Sequence, residues 1–151
     1  MIYNWQMANY KKINILSSSE AAYIAGLIDG EGTISLTRKH RNENRQLVVS
    51  ISNNERCLLE YVLNTSGVGK ITSKKTYQVQ HKPGFAYSIT NRQALSLLEQ
   101  IVNYLQSYKK SRAELVLAEY IKLTPRNGKY SDELASKREQ FIKTFFQLQP
   151  L

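Results

Sequence analysis

Apolar residues along this chain follow two periods in turn, and the switches between them outline its elements. Ser17 and Glu20 form an S-x-x-E capping box that opens a helix reaching about Asp29. The next stretch, "GTISLTRK", alternates Ile34 and Leu36 with Thr33, Ser35, Thr37 and Lys39, which predicts a strand. After the loop "HRNENR", a second strand, "QLVVSISN", sets Leu47, Val49 and Ile51 on one face and Gln46, Val48, Ser50 and Ser52 on the other. One apolar face at a two-residue period indicates a half-buried antiparallel sheet. Asn53 or Asn54 then caps a second helix to about Asn64, and "SGVGK" turns the chain. A third strand follows from about Val68 to Tyr77, with Lys70, Thr72 and Lys74 in phase. Beyond "HKPG", a fourth strand, "FAYSIT", buries Phe85, Tyr87 and Ile89 and turns Ala86, Ser88 and Thr90 outward. Asn91 caps a third helix, "RQALSLLEQIVNYLQ", and "KKSRAELVLAEYIKL" is a fourth. Pro125 and Gly128 break the pattern, and Ser131 caps a fifth helix, "DELASKREQFIKTFFQ".

The predicted fold is therefore mixed α/β (α+β), with the order α-β-β-α-β-β-α and further C-terminal helices. Its centre is one four-stranded antiparallel sheet, with helices on the apolar face and the polar face open. Residues 17–151 read as one domain, and residues 1–16 as an N-terminal extension.

Composition narrows the function. The formal net charge of +9 on 151 residues points to a polyanionic partner. No apolar run approaches the roughly 18 residues of a membrane span, and Met1 to Ile15 carry no apolar core of a secretory signal, so no membrane partner is expected. A single cysteine, Cys57, fits a reducing compartment. No G-x-G-x-x-G or P-loop occurs, which argues against a nucleotide cofactor. The open sheet face, by contrast, suits a duplex: its Lys and Arg residues can neutralise phosphates, and Gln and Arg can read base edges. Strand parity gives Ser35, Thr37, Lys39, Arg41, Gln46, Val48, Ser50, Lys70, Thr72, Lys74 and Ser88 as DNA contacts. Arg38, Arg45 and Lys82 are loop residues placed to touch the backbone.

The stretch "AAYIAGLIDGEGTISL" stands apart. Gly26 inside a helix costs about 1 kcal/mol relative to alanine. Acids at a helix C-terminus also meet the negative end of its dipole. Small residues recur four apart, as Ala21 and Ala25 and as Ala22, Gly26 and Gly30, which makes a flat stripe. That stripe serves either close packing on the chain's own sheet or a seam with a second copy. In a paired arrangement two Asp29-Gly30-Glu31 turns would approach each other, and a divalent cation would relieve their repulsion.

"YIAGLIDGEGTI" resembles the motif of the LAGLIDADG homing endonucleases, with Ile24 at the first leucine and Gly30-Glu31 at the Ala-Asp. The element order that follows, the "SGVG" turn and "YKKSRAELVLAEYI" are similar to single-motif members, over about residues 17–123. The resemblance implies a homodimer joined through the motif helices at Ala21, Ala22, Ala25, Gly26 and Asp29. It implies a saddle-shaped sheet on double-stranded DNA and metal-dependent cleavage of both strands of a long pseudo-palindromic site, leaving short 3′ overhangs. Glu31 would hold the metal, Mg²⁺ or Mn²⁺ with Ca²⁺ as a non-catalytic substitute, helped by the Gly30 carbonyl. Asp29 would cap and lock the seam. Lys109 would stand near the scissile phosphate, Asn53 would hold the attacking water, and Arg56 would add a basic group. Such a protein is expected wherever its DNA is, in an organelle or a prokaryotic cytoplasm. An RNA maturase, or a DNA-binding regulator without catalysis, is an alternative on the same fold. A basic ribosomal-type RNA binder is a third, from another class.

Overall fold

The computed structural model describes residues 11–74 and 83–151. The expected Lys82 contact, and the third strand beyond Lys74, lie outside the described residues. The order is α1 (Ser18–Glu31), β1 (Gly32–Thr37), β2 (Gln46–Asn53), α2 (Arg56–Ser66), β3 (Lys70–Lys74), β4 (Gly84–Thr90), α3 (Asn91–Ile101), a 3₁₀ turn (Val102–Tyr104), α4 (Tyr108–Glu119) and α5 (Asp132–Gln147). This is the mixed α/β architecture expected from the residue pattern. Among the described residues, no helix is long and apolar enough to cross a membrane.

The strands form one antiparallel sheet in the order β1-β2-β4-β3. Ile34, Leu36, Leu47, Val49, Ile51, Tyr87 and Ile89 project from one face into the core, where Ile24, Ile28, Leu59, Leu97 and Leu98 meet them from the helices. The opposite face follows the register. Thr33, Ser50, Ser88 and Lys70 lie in one row across all four strands, and Ser35, Val48 and Thr90 in the next. The Thr33 and Ser50 hydroxyls are hydrogen-bonded at 2.8 Å.

Local signals set several boundaries. The Ser17 box closes in both directions: Ser17 N–H donates to Glu20 Oε1 at 2.8 Å, and Glu20 N–H to Ser17 Oγ at 3.2 Å. Ser131 caps α5 by accepting from Leu134 N–H. Gly67, with φ 76°, ends α2 in the left-handed conformation that glycine adopts without strain. Other boundaries differ from the expectation. β1 stops at Thr37, so Lys39 and Arg41 belong to the hairpin loop and not to the strand. Asn53 does not cap α2; Glu55 occupies that position, and the Asn53 side chain accepts from Glu55 N–H at 2.8 Å. Asn91 is not the cap of α3 either. Thr90 takes that place, and Asn91 is a non-glycine residue at φ 51° whose amide bridges Gln46 and Tyr120.

Residues 11–16 lie along the domain. Asn14 N–H donates to Ser66 O at 2.8 Å, Leu16 N–H to Gln100 Oε1 at 2.7 Å, and Ile13 and Leu16 pack against the core. At the other end, α5 is pinned by Arg138, which is 4% exposed. Its guanidinium donates to the Leu123 and Arg45 carbonyls and to Thr124 Oγ1.

Candidate active site

Every third or fourth residue of α1 shares a face, so the two small-residue series fall on separate stripes. Ala21 and Ala25 point inward, at 3% and 0% exposure, and belong to the chain's own core. Both were expected at a seam with a second copy; within the single chain their side chains are already covered by its own core. Ala22, Gly26 and Gly30 form the neighbouring stripe and are exposed. A Cβ added at Gly26 or at Gly30 would meet nothing within 4 Å. Tyr23 and Tyr61, at 45% and 38% exposure, stand edge to face beside this stripe.

The inward stripe ends at Asp29, which is committed within the chain. Its carboxylate accepts from Gln106 N–H at 2.8 Å, Ser107 N–H at 3.2 Å and the Ser107 hydroxyl. Ser107 is the N-cap of α4. Asp29 thus supplies negative charge where the α4 dipole is positive. Partial burial works to raise its pKa. The Ser107 hydroxyl, the two backbone donors and the charge of Lys109 outweigh burial and hold the carboxyl below the ordinary aspartate range.

Lys109 returns the bond. It is 8% exposed, and its Nζ donates to the Ile28 and Asp29 carbonyls, both at 2.8 Å. A cation thereby meets the last carbonyls of α1, at the negative end of its dipole; Ile28 O accepts from Gly32 N–H as well. Burial lowers the Lys109 pKa, Asp29 and Glu31 oppose this, Arg112 adds to it, and the net result lies below the ordinary lysine range. This reciprocal clasp offsets the cost of ending a helix in acids. Lys109 lies closer to the motif than its expected role required, with its ammonium turned onto the backbone of α1.

Glu31 follows the open side. It is exposed, and its carboxylate has no hydrogen bond or ion pair among the described residues. The turn after it is fixed by Gly32, where a Cβ would fall 2.8 Å from Ile28 Cα and 2.9 Å from the Ser50 carbonyl. Only glycine lets α1 and β2 approach so closely. A cleft of about 350 Å³ is walled by Glu31, Ser52, Asn53, Lys74, Gly84 and Phe85. Glu31 and Asn53 therefore both line this cleft. Lys74 joins them because β3 pairs with β4 in the register Lys74↔Gly84. Sequence reasoning placed Lys74 on the DNA face and missed its place at this cleft, together with Ser52 and Phe85. Arg56 does not line the cleft but stands behind one of its walls: its Nε bonds Glu60 Oε1 at 2.9 Å, and its guanidinium lies 5.1 Å from the Phe85 ring centroid.

Among the described residues, no group of three or more His, Cys, Asp or Glu is placed to hold a metal ion. The donors available are the Glu31 carboxylate and the Gly30 carbonyl at the helix end. That set fits a hard cation such as Mg²⁺, which takes one or two carboxylates and completes its shell with phosphate oxygens and water.

The remaining expected DNA contacts divide by place. Ser35, Thr37, Gln46, Val48, Ser50, Lys70, Thr72 and Ser88 lie on the open face. Arg38, Lys39 and Arg41 are exposed in the hairpin loop, where Arg38 Nη1 donates to the Arg41 carbonyl at 3.0 Å. Arg45 turns toward α5, donating to Leu36 O at 3.0 Å with its guanidinium 5.1 Å from the Phe146 centroid.

The sequence profile of the LAGLIDADG endonucleases matches residues 24–113, more than half of the chain. The chain belongs to the LAGLIDADG endonuclease family. The homing endonuclease I-CvuI, solved with its target in the presence of Ca, is similar at TM-score 0.70 and 17% identity, over 87% of this chain and 82% of that one. The archaeal intron-encoded homing endonuclease I-Vdi141I, complexed with DNA, is similar at TM-score 0.65 and 18% identity, over 87% and 84%. The LAGLIDADG meganuclease I-AabMI, bound to uncleaved DNA, is similar at TM-score 0.57 and 27% identity, over 81% of this chain and 43% of its own length. No curated protein matches the chain significantly. In this chain the matched segment begins within α1, and the exposed Glu31 at its end borders the cleft with Asn53 of β2.

Proposed function

We propose that this LAGLIDADG protein is a site-specific homing endonuclease that cuts both strands of a long pseudo-palindromic DNA site as a homodimer, leaving short 3′ overhangs. The observation that carries the reading is Glu31: an exposed carboxylate with no hydrogen bond or ion pair among the described residues, at a glycine-flanked helix end beside a polar four-stranded sheet. The open Ala22-Gly26-Gly30 stripe supports the homodimer, since two such stripes can meet backbone to backbone about a two-fold axis. The described residues of one chain bring too few donors together to hold a cation alone, and a second copy and the DNA phosphates would complete the site.

Glu31 and the Gly30 carbonyl would hold Mg²⁺ or Mn²⁺, with Ca²⁺ as a substitute that binds without turnover. When bound, the cation supplies Lewis-acid stabilisation of charge on the phosphoryl group. The chain's own residues do the rest. Lys74 sets a positive charge at the cleft for a strand phosphate. Asn53 accepts from Glu55 N–H through Oδ1, which fixes its amide and leaves Nδ2 to orient water. Lys109 holds the end of α1 so that Glu31 is presented outward. Arg56, tied to Glu60, stands at the rim beside Phe85. The open face and hairpin loop carry the duplex, Lys and Arg on phosphates and Gln46 among the groups that can reach base edges. The protein works beside DNA, in an organelle or a prokaryotic cytoplasm.

The test is cleavage of a random-sequence DNA library by the protein with and without Mg²⁺, alongside Glu31→Gln. Metal-dependent double-strand breaks with 3′ overhangs, absent in the variant, are expected. Selective binding without cutting under any divalent cation would move the assignment to a DNA-binding regulator, or to a maturase if RNA competed better.

A further inference from the structure

A second cavity, of about 490 Å³, lies at the other end of β2, walled among others by Arg45, Arg92, Arg126, Arg138, Tyr120 and Tyr130. Its volume falls within the range of small-ligand pockets, about 300–1,000 Å³. Four arginines line it, and no aspartate or glutamate does. Arg45, Arg92 and Arg138 have no carboxylate partner among the described residues; the ion pairs there are formed by other groups.

Arg138 is the informative member. A buried guanidinium ordinarily sits against a carboxylate, because desolvating an uncompensated charge is costly. Here, among the described residues, the 4% exposed side chain finds carbonyls, one hydroxyl and the Tyr120 and Tyr130 rings, with centroids at 5.7 and 5.6 Å, and no carboxylate. Its Nε is buried and has no acceptor. The wall beside it is held rigidly. Asn91, at φ 51°, donates to Gln46 Oε1 at 3.0 Å and accepts from the Tyr120 hydroxyl at 2.8 Å, and that hydroxyl accepts from Leu47 N–H at 3.1 Å. A non-glycine residue in this conformation persists where its surroundings hold it, which is common around ligand sites.

We propose that this cavity binds a phosphate-bearing group, for which arginine forks are the preferred partners. Arg92 and Arg126 at the mouth take the phosphate oxygens. Arg138 supplies buried positive charge that no carboxylate among the described residues compensates, and Tyr130 gives an attached sugar or base an apolar wall. The phosphate can belong to a nucleic-acid strand or to a free monoester. The first source rests on the endonuclease reading. From Gln46 to Asn53 β2 makes seven steps, or roughly 23 Å at about 3.3 Å each. That separates the cavity from the Glu31 cleft by about seven base-pair steps of a duplex at about 3.4 Å.

The test is ³¹P NMR titration of inorganic phosphate into wild type and the Arg92→Gln/Arg126→Gln double variant, at fixed ionic strength set with chloride. Both residues reach the surface, so the variant keeps the fold; circular dichroism checks this. Arg138→Gln serves as a second variant if it melts cooperatively. Line broadening in wild type, with affinity at least about tenfold weaker in the variant, is expected. Equal broadening in both, or none in wild type, overturns the site. A second arm repeats the titration with a saturating random-sequence duplex. If a strand phosphate occupies the cavity, the duplex abolishes the broadening, and the variant binds DNA with a salt slope shallower by about one to two. If the ligand is a free monoester, broadening survives and DNA affinity is unchanged. Neither arm requires cutting, so loss of this site and loss of the endonuclease assignment are separate results.

Discussion

The motif helix has two stripes of small residues, and they are used in opposite ways. Ala21, Ala25 and Asp29 form the filled stripe: the alanines face the core, and the acid is saturated by the α4 N-terminus. Ala22, Gly26 and Gly30 form the empty stripe, which leads to an acid with no hydrogen bond or ion pair among the described residues. A displacement of one residue, about 100° around the helix, separates them. The lesson is that residue type alone does not assign a role. Asp29 and Glu31 are both acids in a glycine-rich turn, yet one is bonded into the fold and the other makes no hydrogen bond or ion pair among the described residues.

Swapping adjacent residues on the two stripes gives the largest contrast. Ala25→Leu overpacks a fully buried position and should cost about 1–3 kcal/mol in urea unfolding. Gly26→Arg meets open space, so stability should change little, while the solution mass from light scattering should fall from dimer to monomer. A monomeric wild type, or a Gly26→Arg variant that melts like Ala25→Leu, would break the comparison.

Asp29→Ala should come next, losing about 1–2 kcal/mol, the usual range for an interaction that caps a helix. Denaturant unfolding checks it, with the midpoint moving at constant slope. The smallest effect is its pH dependence. The folded-state pKa of Asp29 is depressed, so its stabilisation is fully present above the ordinary value of 3.8 and is lost as pH falls through the lower folded value. The stability gap between wild type and Asp29→Asn should therefore narrow in that acid window. A gap that stays constant down to the lowest measurable pH would contradict the clasp.

What the sequence made legible was whatever neighbouring residues decide. The Ser17 box, β2 from Gln46 to Asn53 and α5 from Asp132 to Gln147 fall where local patterns put them, and the sheet face followed from alternation. Contacts between distant residues stayed hidden. The Asp29–Lys109 clasp joins residues 80 apart, and no local signal announces it. Asn91 looked like a helix cap because asparagine is a good one, but its bonds to Gln46 and Tyr120 hold it in another conformation. Lys74 reached the cleft through a strand register that depends on the whole β3–β4 connection. The small residues of α1 were read as one surface, but they form two adjacent stripes, one filled by the core and one open.

The most direct test of this division of labour is the single-turnover cutting rate of Glu31→Gln and Asp29→Asn on one cleavable site, paired with the melting temperature of each. Glu31→Gln should melt like wild type and lose cutting by more than about 100-fold, as befits a metal-holding group. Asp29→Asn should melt at a lower temperature and, below that melt, cut within about tenfold of wild type. An Asp29→Asn protein that melts like wild type but does not cut, or a Glu31→Gln protein that still cuts, would contradict the account.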